Sequence, residues 1–198
     1  MAGARKDTND FQVRPDEIFE RMVESAFDFL DRSRDELEKS PKYSTIHFAT
    51  AIELILKARL LKEHWTLVVA VSGDADRASF KEGRAKTVTT DQAAKRLDQI
   101  LGKPIPQAAL ESFRRISAHR NRMIHFFHEA DAAKAEEQVR AEISKEQLNA
   151  WFHLLNLIKS WPAKGWRITR FRPRLYFSIW AIRIITRTLG HNHHCFRT

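Results

Sequence analysis

Apolar side chains recur every three to four residues through most of the first 161 residues, which is the repeat of an α-helix with one buried face. The first stripe follows Pro15, a residue suited to the first turn of a helix. Ser40-Pro41 interrupts the pattern, and a second helix is predicted from Lys42 to about His64. Because this second helix is apolar over most of its circumference, we expect it at the centre of a bundle.

Breaks and helices alternate after the second helix. Residues 67–88, which include two glycines, predict a long loop, with a short strand at either end as an option. Thr89 and Gln92 form a capping-box pair that opens a third helix to about Leu101. A fourth helix is predicted over about 107–129.

The fifth predicted helix is the last one of the bundle. Ser144 and Gln147 form a second capping-box pair, and the helix that they open ends at Trp161. The Ala- and Glu-rich residues 130–143 are a further helical candidate. The pattern as a whole predicts an all-α fold, an antiparallel bundle of about five helices.

Length and composition restrict the class of protein. The chain of 198 residues suits one domain with an appendage, and a charged fraction of 30% is too high for a membrane-embedded protein. A single Cys excludes an intramolecular disulfide framework, and the start MAGARKDTNDF has no apolar segment of a secretory signal peptide. The apolar runs AIELILKARLL and 175–185 are too short for a membrane span. We therefore expect a cytoplasmic protein with no membrane span.

Charge is distributed unevenly along the chain. The 34 Lys and Arg exceed the 25 Asp and Glu, which gives a formal net charge of +9. Residues 147–198 contain nine of these bases and no acid, so 25 bases meet 25 acids in residues 1–146. The total charge is therefore no evidence that the body binds nucleic acid. We expect a flexible N-terminus at 1–14, a helical domain at 15–161 and a basic, aromatic, poorly structured tail at 162–198.

The fourth helix carries an arginine on its apolar side. On a helical projection, Arg120 falls in the middle of an apolar stripe. The stripe consists of Phe113, Ile116, Met123, Ile124 and Phe127. An unpaired guanidinium is costly to bury, so either Arg120 has a partner or the stripe lines a cleft or a subunit interface.

Polar residues surround this arginine. Asn121 lies one turn before His125 and is placed to orient its imidazole, and His128 lies near Asn121 on the projection. His119 and Arg122 are expected to be solvated. The alternative interpretation is an ordinary surface helix with a charged stretch and solvated histidines.

At these positions the chain resembles a known family. The segment RNRMIH, from Arg120 to His125, matches the R-x4-6-H motif of HEPN domains (higher eukaryote and prokaryote nucleotide-binding domains). Asn directly after the Arg, apolar residues before the His, and a motif late in the fourth helix of a bundle are frequent in that family. The stretch TIHFATAIELILKARLLKEHW resembles the second helix of a bacterial HEPN group. The resemblance covers about residues 15–160.

The resemblance implies a metal-independent endoribonuclease without a cofactor. HEPN relatives form homodimers in which facing motif helices bring two Arg/His pairs into one cleft, where the 2′-OH of an RNA attacks the adjacent phosphate. His125 would then be the general base or acid, and Arg120 would bind and stabilise the phosphate. Asn121 and His128 would support them, and Glu53 would hold the arginine. The alternative for Glu53 is an ordinary surface pair with Lys57, one helical turn later.

One departure from the family bears on the partners. In HEPN toxins silenced by a nucleotidyltransferase antitoxin the motif continues as H-x-Tyr, whereas His125-Phe126-Phe127 carries no hydroxyl. This weakens the pairing with such an antitoxin and leaves the ribonuclease interpretation intact. We expect an RNA-cleaving toxin or phage-defence effector, with an antitoxin or defence-system protein as a further partner. The alternative is a non-catalytic HEPN-like adaptor for dimerisation or for nucleotide or RNA binding.

The tail has several interpretations. Its arginines alternate with aromatic residues, a pattern that suits stacking on bases and contact with phosphates. The candidate RNA-binding residues are Arg167, Arg170, Arg172 and Arg174. Interfacial membrane contact and a divergent C-terminus with little defined structure are the alternatives. His191, His193, His194 and Cys195 are poorly spaced for one tetrahedral metal site, so no metal is expected.

Overall fold

The computed structural model describes residues 15–102, 104–125 and 136–161. Within these ranges the regular elements are helices: α1 (Pro15–Glu36), α2 (Pro41–Glu63), α3 (Arg77–Lys81), α4 (Thr90–Leu101), α5 (Gln107–His125) and α6 (Glu136–Ser160). This confirms the prediction of an all-α fold for the described part of the chain. The predictions of a flexible segment at 1–14 and an irregular tail at 162–198 lie outside the described residues.

A short connection and several side-chain contacts show how α1, α2 and α6 are oriented relative to one another. Four residues connect α1 to α2, and the two helices pack along one another as an antiparallel hairpin. Thr45 of α2 bonds to Gln147 of α6, and Phe48 stacks on Trp151 with ring centroids 4.9 Å apart. Residue numbers rise together along both helices, so α6 runs parallel to α2.

Helix α5 runs in the opposite direction to α6. His119, late in α5, bonds to Glu146, whereas the earlier Ser112 bonds to Asn149 further along α6. Helices α1 and α5 therefore run one way and α2 and α6 the other, which is the predicted antiparallel bundle. The shorter α4 packs against α2 and α5 at the side of this bundle.

The predicted central position of α2 is confirmed. This helix contacts α1, α4, α5 and α6, and its buried apolar side chains lie on several of its faces. They include Phe48, Ile52, Ile55, Leu56 and Leu60. None of the helices in the described ranges is long and apolar enough to cross a bilayer.

The N-terminal end of α6 differs from its prediction. Residues 136–143 are helical as proposed, but Ser144 and Gln147 lie inside α6 and cap nothing, so the second capping-box prediction was wrong. The Gln147 side chain is fully buried, and its Nε2 donates to the hydroxyls of Ser33 at 2.9 Å and Ser44 at 2.7 Å. Gln147 therefore links α6 to α1 and α2 and does not turn back on its own backbone.

The long loop between α2 and α4 is closed at its base. An isolated β-bridge joins Val69 to Thr87, so the optional strands of the prediction reduce to one bridge. The Arg96 guanidinium of α4 donates to the carbonyl oxygens of Leu67 at 2.7 Å, Val69 at 2.6 Å and Ala70 at 2.8 Å. These bonds satisfy backbone groups that no ladder pairs. The predicted Thr89 capping box at the start of α4 is confirmed, with both reciprocal bonds present.

Candidate functional site

Arg120 has a partner on the central helix. Its Nη1 lies 3.4 Å from Oε2 of Glu53, which joins the second half of α5 to the middle of α2. The two side chains remain 28% and 27% exposed. The arginine therefore sits at the rim of the apolar stripe, where Phe113 and Ile116 are fully buried below it. Of the two predicted explanations for a guanidinium on this face, the paired one is observed.

Glu53 is shared between two cations. The ammonium group of Lys57, one turn later on α2, donates to Oε1 of the same carboxylate whose Oε2 faces Arg120. The Lys57 amine also donates to the Thr87 hydroxyl at 2.8 Å. Glu53 is therefore a partner of both Arg120 and Lys57, but the pair with Lys57 is not the ordinary surface pair of the alternative interpretation, because Lys57 is buried. Thr87 had no signal in the sequence, because it lies 30 positions from Lys57 and joins it only through the folded loop.

The immediate neighbours of Arg120 differ in exposure. Asn121 is exposed, and its Oδ1 accepts from Nε of Arg120 at 3.2 Å. Arg122 is exposed as predicted. Ile124, placed in the stripe by the projection, is 53% exposed and lies one turn after Arg120. The second half of α5 thus presents to the solvent an arginine (Arg120), an amide (Asn121) and an apolar side chain (Ile124).

His119 lies elsewhere than predicted. Its side chain is only 18% exposed, and Nε2 lies 2.7 Å from Oε2 of Glu146 on α6. The expectation of a solvated His119 was wrong, because the turn of the helix between positions 119 and 120 directs the ring toward α6. This histidine therefore joins α5 to α6.

Several predicted site residues fall outside what the structure describes. The backbone of His125 belongs to α5, five residues after Arg120, and its side chain lies outside the described residues. His128 and the tail residues Arg167, Arg170, Arg172 and Arg174 also lie outside them, as does the end of the predicted fourth helix. The described part of the site therefore consists of Glu53, Lys57, Thr87, Arg120 and Asn121.

The charge of this cluster favours an anion. One carboxylate, on Glu53, faces two cations, on Lys57 and Arg120, so the group carries one excess positive charge. The excess is located at Arg120, because the side chain of Lys57 is only 8% exposed whereas that of Arg120 reaches the solvent. A planar guanidinium in this position is suited to a phosphate or carboxylate oxygen pair. Within the described ranges, no group of three or more His, Cys, Asp and Glu side chains is arranged to hold a metal ion.

Two displaced pKa values belong to residues elsewhere in the fold. Burial, helped by the nearby Arg115, lowers the pKa of His153 on α6 below its ordinary value. The backbone N–H of Ser79 donates to the carboxylate of Asp76 and lowers the pKa of that group. Asp76 is the N-terminal cap of α3, so this shift has a structural cause.

A concave pocket of about 240 Å³ opens in the loop that precedes α4. Asp74 and Asp76 line it together with Arg84 and Lys86, and the other lining residues are small or apolar: Val69, Ala70, Val71, Ser79 and Ala85. Because acidic and basic side chains are mixed in this pocket, it selects no single class of ligand.

No protein-family model, curated protein or solved structure matches this chain.

Proposed function

We propose that this protein is a metal-independent endoribonuclease of the HEPN type, acting in the cytoplasm as a toxin or phage-defence effector. The observation that carries the proposal is the partly exposed Arg120, whose Nη1 faces Glu53 and whose Nε donates to Asn121. A guanidinium that is kept on an apolar helix face by two partners, and that carries the excess positive charge of its cluster, is a prepared phosphate site.

The proposed reaction is a transesterification within the RNA, in which the phosphoryl group moves from the 5′-oxygen to the 2′-oxygen. The 2′-oxygen attacks the adjacent phosphorus, the bond from phosphorus to the 5′-oxygen breaks, and a 2′,3′-cyclic phosphate and a 5′-OH result. One proton leaves the 2′-OH and one reaches the 5′-oxygen, and His125 serves in one of these transfers. Arg120 stabilises the charge that accumulates on the phosphate oxygens. Asn121, and in the proposal also His128, support these two groups.

A homodimer through the motif helices belongs to the same proposal. One chain supplies one Arg120 and one His125, and a second copy supplies the other pair for two proton transfers. Ile124, exposed one turn after Arg120, offers apolar surface for such a contact on α5. The partners proposed are RNA, a second copy of the chain, and an antitoxin or defence-system protein. Arg167, Arg170, Arg172 and Arg174 are proposed to add contacts to RNA.

The test is an RNA cleavage assay on the full chain in the presence of EDTA. Purified protein is incubated with tRNA and total RNA, and the new ends are analysed for 2′,3′-cyclic phosphate. We expect cleavage by the unmodified protein and its loss in Arg120→Ala and in His125→Ala. Arg122→Ala is the matched control, because Arg122 is an exposed arginine two residues away in the same helix. Cleavage that survives both site substitutions would contradict the assignment of the site.

A second candidate is a non-catalytic adaptor that binds nucleotide or RNA. The observation in its favour is that Arg120 already has an ion-pair partner, as a purely structural or interface arginine would. This candidate predicts that RNA stays intact and that the unmodified protein is tolerated in cells as well as the Arg120→Ala/His125→Ala double variant. The ribonuclease proposal predicts greater toxicity of the unmodified protein.

A further inference from the structure

Lys57 is a buried cation in the middle of the bundle. Its side chain is 8% exposed, although lysine is among the residues least often buried. Its amine has two partners within the described ranges, the Glu53 carboxylate and the Thr87 hydroxyl. Burial of a charge at this position is costly unless it is paired, and the Glu53 carboxylate supplies the opposite charge.

The carboxylate of Glu53 therefore has two competing cations. Lys57 holds it from the same helix, one turn away, inside the fold. Arg120 approaches it from α5 at 3.4 Å, beyond the usual range of about 2.7–3.2 Å for an N–H donor. Glu53 thus orients the guanidinium of Arg120, while Lys57 occupies the other oxygen of the same carboxylate.

We propose that Lys57 is a positioning residue that keeps Arg120 available for an anionic ligand by occupying the carboxylate of Glu53. The inference rests on the proposed function and extends it, because it states how the phosphate-binding charge of that site is preserved. Without the Lys57 charge, Glu53 would pair with Arg120 alone, and the cluster would lose its excess positive charge.

Thr87 fixes where the Lys57 amine lies. This residue belongs to the bridge with Val69 that closes the base of the long loop. Its hydroxyl accepts from Nζ at 2.8 Å, so the amine is held between Glu53 of α2 and the base of the loop. The division of roles between the two cations is therefore built into the fold: Lys57 neutralises the acid, and Arg120 faces the solvent.

The experiment compares Lys57→Met, Glu53→Gln and the double variant of the full chain. Methionine keeps most of the apolar stem of Lys57, and Lys57→Gln, which keeps a hydrogen-bond donor, takes its place in the comparison if Lys57→Met does not fold. Lys62→Met is the matched control, because Lys62 lies on the same helix but covers the ring of Phe19 at 4.9 Å, away from Arg120. Unfolding in urea verifies that each variant is folded.

The readout that does not depend on RNA is the rate at which phenylglyoxal modifies Arg120, followed by mass spectrometry of the Arg120 peptide. We expect a rate about fivefold lower in Lys57→Met, equivalent to about 1 kcal/mol at 1.4 kcal/mol per factor of ten. The rate should return to that of the unmodified protein when Glu53→Gln is added, and Lys62→Met should not change it. An unchanged rate in Lys57→Met, or a double variant as slow as the single one, would overturn the proposal, because a purely structural lysine predicts no rescue.

A second measurement separates this inference from the ribonuclease proposal. Binding of an uncleavable oligonucleotide with 2′-deoxy ribose should weaken about fivefold in Lys57→Met and recover in the double variant, as expected for loss and return of one charge-assisted contact. If the modification rates follow the expected order but RNA is neither bound nor cleaved, Lys57 has the inferred role and the ribonuclease proposal is wrong. If RNA is cleaved through Arg120 and the rates do not follow the order, the ribonuclease proposal stands and the inference about Lys57 falls.

Discussion

Arg120 and Glu53 lie 67 positions apart in the chain and meet at 3.4 Å between Nη1 and Oε2. The contact explains how an arginine is tolerated in a stripe that contains the fully buried Phe113 and Ile116. Its partial exposure limits what it contributes to the fold, because ion pairs in contact with solvent are worth about 0–1 kcal/mol. The main role of the pair is therefore to position the charge of Arg120, and its contribution to the stability of the bundle is small.

The stability of an Arg120→Met variant tests this distinction. We expect the free energy of unfolding to change by less than about 1 kcal/mol, since the lost ion pair is partly exposed and methionine continues the apolar stripe. Ile116→Ala is the comparison, with an expected loss of about 2–5 kcal/mol from a fully buried position. Both values come from urea unfolding of the full chain. A loss above about 2 kcal/mol in Arg120→Met would mean that the arginine is a structural residue.

Replacement of Gln147, at the end of the bundle where α1 meets α2, is expected to lower the free energy of unfolding more than replacement of Arg120. Its Nε2 donates to Ser33 and Ser44, and its Oε1 lies 3.0 Å from the Thr45 hydroxyl. Gln147→Ala leaves three buried hydroxyls without this partner, and we expect a loss of about 2–4 kcal/mol. Gln107→Ala is the control, because Gln107 is exposed and bonds only to the exposed Glu111 among the described contacts. Equal urea midpoints for the two variants would contradict the role of Gln147.

Trp151 carries a buried N–H group that is unfavourable to the fold, and substitutions can test its cost. The indole is fully buried and stacks on Phe48, but its Nε1 has no hydrogen-bond partner among the described residues. Trp151→Ala should cost about 3–5 kcal/mol through the cavity that it leaves. Trp151→Phe should cost far less, because it keeps a stacking ring and removes the unpaired donor. Similar losses in both variants, measured by calorimetry, would refute this account of Nε1.

The bundle was predictable because its helices carry local signals. Pro41 at the start of α2 and the Thr89–Gln92 box at the start of α4 act within one turn of the chain, and the structure places helix ends at both. The Ser144–Gln147 pair has the same local pattern and failed, because buried hydroxyls on α1 and α2 bind Gln147. Long-range partners of this kind leave no periodic trace in a sequence.

In the candidate site, too, local features were predictable from the residues themselves and long-range contacts were not. Arg120 stood out because its charge conflicts with the apolar stripe around it, and that conflict is visible in the sequence alone. The partner Glu53 was proposed through the HEPN resemblance, and the contact is present in the structure. The association of Lys57 with Thr87, and of His119 with Glu146, depends on how a loop and a helix pack, so no spacing rule predicts either.

His153 is expected to make the free energy of unfolding depend on pH. Burial, with Arg115 as a smaller contributor, lowers the pKa of His153 below its ordinary value, so the unfolded chain binds this proton more readily than the folded one. Stability should therefore fall as the pH drops below about 6.5, where the unfolded histidine becomes charged. In His153→Gln this part of the pH dependence should disappear, while stability above pH 7 stays close to that of the unmodified protein. Parallel urea titrations at pH 7.5 and 5 measure it, and an equal loss in both proteins at pH 5 would exclude His153 as the cause.

Arg96 is expected to control the opening of the loop between α2 and α4. One guanidinium donates to three backbone carbonyls, of Leu67, Val69 and Ala70, beside the bridge that closes this loop. Arg96→Met removes the donors and leaves the carbonyls unpaired, at a local cost of about 1–3 kcal/mol. Amide hydrogen exchange and limited trypsin cleavage within the loop should accelerate, by about tenfold for a cost of about 1.4 kcal/mol, while exchange in the core of α2 changes less. Arg114→Met is the control, since Arg114 is exposed and bonds to an exposed aspartate at 2.7 Å. Uniform acceleration across the whole bundle would show that Arg96 supports global stability and does not act as a clamp on the loop.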